Sequence, residues 1–176
     1  MQLPETEIEQ FFRSFKPLLA FVNNKLHITS GIKTAADVNG YPVEERRKVR
    51  DKLYQTPGLI DEFLKNHGSE FSTEDAAIIR SWKGFIEGKF YVYRYLKRDT
   101  VFLSTKEPYK AYGVMSFYIP FEDLFGYSLT RLIETVLLPF KDRIVSDGIF
   151  ASSNIYFGSG IRRSIDFVYI FHLKGK

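Results

Sequence analysis

The chain has no cysteine. That absence removes disulfide frameworks, thiolate nucleophiles, iron–sulfur clusters and cysteine-based zinc sites together, and it is in keeping with a reducing compartment. Histidine is nearly as scarce. His27, His67 and His172 stand in unrelated settings, with neither HExxH nor His-x-His spacing, so no metal set and no cofactor is expected. No run of about 18 uncharged apolar residues occurs, and so no transmembrane helix is expected. The opening MQLPETEIEQ is acidic and has no apolar signal core. A soluble cytoplasmic protein without a membrane partner is the expectation.

Catalytic motifs are also wanting. Ser152, Ser153 and Ser159 lack a G-x-S-x-G context. Glu122 and Asp123 are adjacent, so their side chains diverge and make a poor acid–base pair. Glu134 sits in an apolar stretch, where burial would raise its pKa unless it faces solvent or a lysine. Asp147 precedes Gly148, and the pair reads as a two-residue hairpin turn.

What is present is aromatic. In 176 residues there are 17 Phe and 11 Tyr, and the apolar share is 44%. A chain of this length can bury a core without staples. So many tyrosines imply half-buried positions, with ring inside and hydroxyl at a partner. The net charge of +4 is mild; it permits an anionic partner without demanding one.

The spacing divides the chain. Ile8, Phe11, Phe12, Phe15, Leu18, Leu19 and Val22 recur three or four apart over residues 5–22, one face of a helix. Pro17 is expected to kink it or to end a helix at Lys16. Residues 23–40 read as a long loop. VEERRKVRDKLYQ follows Pro42 with acids early and bases late, as a helix dipole prefers. Thr56-Pro57 opens a short helix that stops at His67-Gly68. Ser72, with Asp75 three residues on, resembles a capping arrangement for a further helix. From Gly88 the character changes. KFYVYRYL and TVFLS, either side of Lys97-Arg98-Asp99, read as a hairpin. AYGVMSFYI is a third strand, RLIETVLLPF a fourth with a short helix as its alternative, residues 144–146 a fifth, and 149–156 a sixth strand or an irregular edge. IDFVYIFHL has strand composition but also helical spacing, and a helix over residues 161–173 is the expectation.

Three constellations are candidate sites. In NIYFGSGIRRS, Gly158, Ser159 and Gly160 could present backbone N–H groups to an anion at a helix start, with Arg162 and Arg163 adding charge-assisted hydrogen bonds; the alternative is a glycine turn with two solvated arginines. Tyr91, Tyr93 and Tyr95 alternate along a strand and so share one face. Such a row can stack nucleobases, or it can cover neighbouring elements. In ERRKVRDK, residues 45–52, Arg46 and Arg50 lie one turn apart, and a solvated helix face is the simpler reading.

The stretches WKGFIEGKFYVYRYLK and ETVLLPFKDRIVSDGIFASSNIYFGSGIRRS resemble a group of bacterial and archaeal proteins with no established activity. The similar positions span roughly residues 81–164, about half the chain. The resemblance implies a recurring domain and carries over no functional residues.

The sequence therefore predicts a single α+β domain over residues 1–176. Residues 1–87 are mainly helical, residues 88–157 form a mainly antiparallel sheet of about five strands that can curl into a barrel, and residues 158–176 form a last element. Trp82, Phe85, Phe90, Val92, Val101, Leu103, Val114, Met115, Val136, Leu138 and Ile144 are the expected core. The sequence assigns no activity. A non-enzymatic binding module for a protein partner, a phosphate-bearing ligand or a nucleic acid is the leading reading. An enzyme whose site gathers residues distant in sequence is the alternative, because such sites leave no local signature.

Overall fold

The computed structural model describes residues 2–126, 131–156 and 169. It is α+β, as the segregation of helical and strand patterns predicts. Two compact units emerge. One is the run Pro4–Phe85 with Pro139–Lys141. The other comprises Met1–Leu3, Ile86–Leu138 and Asp142–Lys176.

In the helical unit, α1 (Glu5–Leu26) is longer than expected. It passes through Pro17, because Phe11, Phe15, Leu18, Leu19 and Val22 are buried on both sides of the proline and packing outweighs the lost hydrogen bond. The helix ends at His27 in the left-handed region, φ 50°. Buried Asn23 then folds the following segment back. Its amide donates to the carbonyls of Thr29 (3.0 Å) and Ile32 (2.6 Å), and its oxygen accepts from Thr29 N (2.8 Å). A short helix, α2 (Asp37–Gly40), lies inside what reads as loop.

Helices α3 (Val43–Gln55), α4 (Gly58–His67) and α5 (Thr73–Ser81) occur where spacing and caps predict them. Ser72 Oγ accepts from Asp75 N at 3.0 Å. Trp82 is fully buried, with its ring 5.3 Å from Phe11 and 5.6 Å from Phe15; Phe140 completes this cluster 5.8 Å from Phe11.

The other unit is a closed barrel. Its strands are β1 (Ile86–Tyr95), β2 (Thr100–Ser104), β3 (Ala111–Met115), β4 (Arg131–Phe140), β5 (Arg143–Ser146) and β6 (Ala151–Tyr156). The order is β1-β2-β3-β5-β4, and β1 pairs with β4 to close the ring. The pairing is mainly antiparallel; β3 with β5 is parallel, Val114 opposite Ile144. α6 (Phe121–Phe125) lies in the chain between β3 and β4. Its Phe121 and Phe125 join Phe90, Val92, Phe102 and Ile133 in the barrel core. Of the eleven positions expected in the core, nine are buried, and Phe85 and Ile144 are half-buried.

The strand reading of RLIETVLLPF is the observed one. The hairpin reading of Asp147-Gly148 is not. β5 and β6 both run along β4, so these two residues form a kink within one interrupted edge, with Gly148 at φ 78°. Asp147 is 2% exposed. Its carboxylate accepts from Thr135 Oγ1 (3.2 Å) and Ile149 N (3.0 Å), while its own N–H donates to Val136 O (2.9 Å). The hairpin turn instead lies before β5, where Lys141 takes φ 55°.

Two stability predictions follow from these buried carboxylates. Asp147→Ala strips an acceptor from a buried N–H and should cost roughly 1–3 kcal/mol in a urea melt; an unchanged midpoint would show that the kink holds without it. Asp75 is buried in the helical unit. Desolvation raises its pKa, but hydrogen bonds from Gln10 and Ser72 and the charge of Arg13 outweigh it, so the carboxyl lies below its ordinary 3.8. A depressed folded pKa gives stability that is present above the unfolded value and lost as pH falls through the folded one. The stability gap between wild type and Asp75→Asn should therefore be widest near neutral pH and narrow below about pH 4, read from denaturant melts across that range.

Candidate functional site

The candidate tyrosines lie on β1, and the register of that strand decides what they do. Phe90, Tyr91 and Val92 pair with Ser104, Leu103 and Phe102, but Arg94 pairs with Val101, so a bulge falls at Tyr93. A bulge resets the alternation of faces. The expectation that Tyr91, Tyr93 and Tyr95 share one face is therefore wrong. Tyr91 and Tyr93 group with Val101 and Leu103 of β2. Tyr95 packs against the barrel core instead.

Each ring has a distinct setting. Tyr93 is 4% exposed, with Tyr169 4.8 Å away, centroid to centroid. The Arg94 guanidinium lies over both rings, 5.1 Å from Tyr93 and 5.7 Å from Tyr169, a cation–π arrangement. Tyr91 is half-buried and Arg94 exposed. Tyr95 donates its hydroxyl proton to Gly126 O at 2.8 Å. Burial, with the Glu122 charge, pushes its phenol up to about 12 against the opposing pull of Arg131.

Gly158, Ser159, Gly160, Arg162 and Arg163 lie outside the described residues, as does the helix expected over residues 161–173 apart from Tyr169. The ERRKVRDK stretch is only in part a solvated face. Arg50 is 2% exposed, and its Nε lies 2.6 Å from the Asp51 carboxylate. Arg47 approaches the other oxygen of Asp51 at 3.9 Å, and Lys48 pairs with Glu45 at 2.6 Å. The buried arginine falls on the same side of α3 as Val49 and Leu53; its aliphatic stem gives no sequence signal distinct from that of its exposed neighbours.

Charge is unevenly divided. Residues 1–85 carry 12 Lys and Arg and 12 Asp and Glu. The 13 and 9 that remain of the chain's 25 and 21 put the whole net charge of +4 in residues 86–176. On the first three strands of the barrel and the connections between them, Lys89, Arg94, Lys97, Arg98, Lys106 and Lys110 are all exposed. Four of them lie on β1 or on the β1–β2 turn, beside the Tyr91 and Tyr93 face.

A second feature is a cleft of about 470 Å³ at the barrel mouth where β1 begins and β2 ends. Sequence reasoning missed it, because it gathers residues from four strands; Glu134 alone had been singled out. Glu134 is half-buried and stands opposite Lys89 in the β1–β4 register, one of the two settings expected for it.

Among the described residues no three His, Cys, Asp or Glu side chains gather as a metal ion would require, and no helix is long and apolar enough to cross a membrane. No protein-family model, curated protein or solved structure matches the chain. The five strands close into a barrel in the order β1-β2-β3-β5-β4, with β3 parallel to β5 and a helix between β3 and β4.

The inward setting of Tyr95 has a spectroscopic consequence. In an alkaline absorbance titration its phenol should ionise last, about pH 12, and Tyr95→Phe should remove that late step alone. A raised folded pKa means that the stability burial confers is complete below the unfolded value of 10.0 and lost as pH climbs through the folded one. Loss of an early step instead would place the hydroxyl in water.

Proposed function

We propose that this protein is a cytoplasmic, non-enzymatic module that binds single-stranded nucleic acid along the outer face of β1 and β2. The observation that carries the reading is the barrel's strand order. That order resembles the OB fold, whose strand 2–3 face and loops between strands 1–2 and 4–5 hold oligonucleotides; here the aromatic and cationic side chains stand on β1, β2 and the loop between them. Fold alone does not establish function, so the chemistry of this face has to agree, and it supports the reading on two counts. Half-buried Tyr91 and the exposed Arg94 guanidinium, which lies over the buried Tyr93 ring, offer stacking surfaces, which are tolerant of base identity. Arg94, Lys97 and Arg98 offer cations along one strand and its turn, where a phosphate backbone needs them.

The stretch with Gly158, Ser159, Gly160, Arg162 and Arg163 enters the proposal as a further phosphate contact.

Labelled single-stranded and duplex oligonucleotides, titrated at low and moderate salt, test the proposal. Single strands should bind more tightly than duplex, with affinity falling steeply as salt rises. The triple variant Arg94→Ala, Lys97→Ala, Arg98→Ala should lose roughly tenfold or more in affinity. Its log–log salt slope should drop by about 2, since each phosphate contact on a single strand contributes about 0.7. All three side chains are exposed, so the melting temperature should move little. No binding above background at low salt, or equal binding by the variant, would overturn the proposal.

A further inference from the structure

The cleft at the barrel mouth lies away from the β1–β2 turn, at the opposite end of the same strands. Its composition is unusual for a surface dent. Half-buried Ile86 and Tyr112 supply an apolar and aromatic floor, backed by the buried Phe90 ring, and Lys89, Lys106 and Glu134 supply charge of both signs. Phe90 and Tyr112 meet edge to face at 5.9 Å. Gly88 sits between Glu87 and Lys89 without a side chain, which leaves the cleft open.

The wall that carries Lys106 is fixed in place. Ser104 Oγ accepts from Lys110 N at 2.8 Å and donates to Lys106 O at 3.2 Å, closing the loop 104–110 upon itself. Thr105 N donates to Lys89 O at 3.3 Å, tying that loop to β1. A pre-formed cleft of this size, apolar with a few fixed polar groups, has the character of a small-molecule site.

The geometry points to a nucleotide pocket that takes one base on the floor formed by Ile86 and Tyr112 and its phosphate between Lys89 and Lys106. A bare anion would gain nothing from the aromatic floor and would be repelled by the carboxylate. An apolar ligand would leave four charged groups, Glu87 among them, to be desolvated. A nucleotide uses both halves. Glu134 adds a preference, because a carboxylate accepts from an exocyclic amino group. Adenine, cytosine and guanine carry one; uracil does not. The inference rests on the nucleic-acid reading for its ligand class but on a different set of residues, so that a strand lying along β1 could deliver a single nucleotide to this end of the barrel.

Calorimetric titration of the full chain with AMP, CMP, GMP and UMP tests it. Saturable binding is expected, with UMP the weakest by about threefold or more. Gly88→Val should weaken binding at least tenfold by filling the cleft. A Cβ at Gly88 would meet only the Phe90 ring, at 3.5 Å, an ordinary contact, so the strand should accept it. Lys106→Ala, on an exposed residue, should weaken AMP binding several-fold without touching the barrel core. Glu134→Gln should reduce the margin of AMP over UMP. No mononucleotide binding by wild type at millimolar concentration, or equal binding by Gly88→Val, would overturn the inference. Oligonucleotide binding without mononucleotide binding would remove the pocket and leave the strand-binding face standing; the reverse would remove the face and leave the pocket.

Discussion

The pairing of β1 with β4 is the constraint on which the barrel depends. Seven residue pairs, from Ile86 opposite Leu137 to Val92 opposite Arg131, join strands separated by the whole of β2, β3 and α6. Without them β1 and β4 would each offer an open row of N–H and C=O groups, which invites pairing with another chain. With them the sheet closes, and Phe90, Val92, Phe102, Val114 and Ile133 face one another across an interior that Phe121 and Phe125 fill. The stacked pair Phe121 and Phe125, 5.6 Å apart at 10°, shows how a five-residue helix can serve a core: it contributes two rings and little else.

Closure also explains the two candidate surfaces. Side chains alternate between the inner and outer faces along each strand of a small barrel; here the outer face packs as well, with Tyr93, Val101 and Leu103 buried. β1 departs from that alternation at its bulge. Upstream, Phe90 and Val92 point in and Tyr91 points out; downstream, Tyr95 points in. The bulge residue Tyr93 stays outside, beneath Arg94, so the outer face gains a buried ring that a regular strand would have spread along its length. At the other end of β1, Gly88 gives up a side chain where the barrel opens, and the cleft takes that space.

Much of this was legible in the residues, and the misses have physical reasons. Local signals held up: the Ser72 cap, the acid-then-base polarity of α3, and the β-branched and aromatic runs of β1 to β4 all encode structure within a few residues. Nine core positions could be named because burial follows hydrophobic type. Failures came where a distant partner decides the outcome. Pro17 reads as a break until the buried faces on either side of it are known. Asp147-Gly148 reads as a hairpin until β4 is seen to pair with both neighbouring segments. The bulge at Tyr93 is set by the β2 register, and alternation in sequence cannot reveal it. Arg50 looks like any helix-surface arginine. The cleft was invisible for the same reason: its residues come from four strands and share no spacing.

Phe140 has a consequence for synthesis. It is fully buried, and it belongs with Phe11 and Trp82 in the helical unit although 54 residues of the chain, mostly barrel, separate it from Phe85. A ribosome delivers the N-terminus first and adds about 5–20 residues each second. The helices α1 to α5 are thus complete in the nascent chain well before their last aromatic partner is made. For several seconds Phe11 and Trp82 wait with one neighbour missing, and β1 waits for β4 over the same interval. Neither unit can finish alone. Both are sealed by the arrival of one strand and its turn, so the two are coupled in time as the protein emerges.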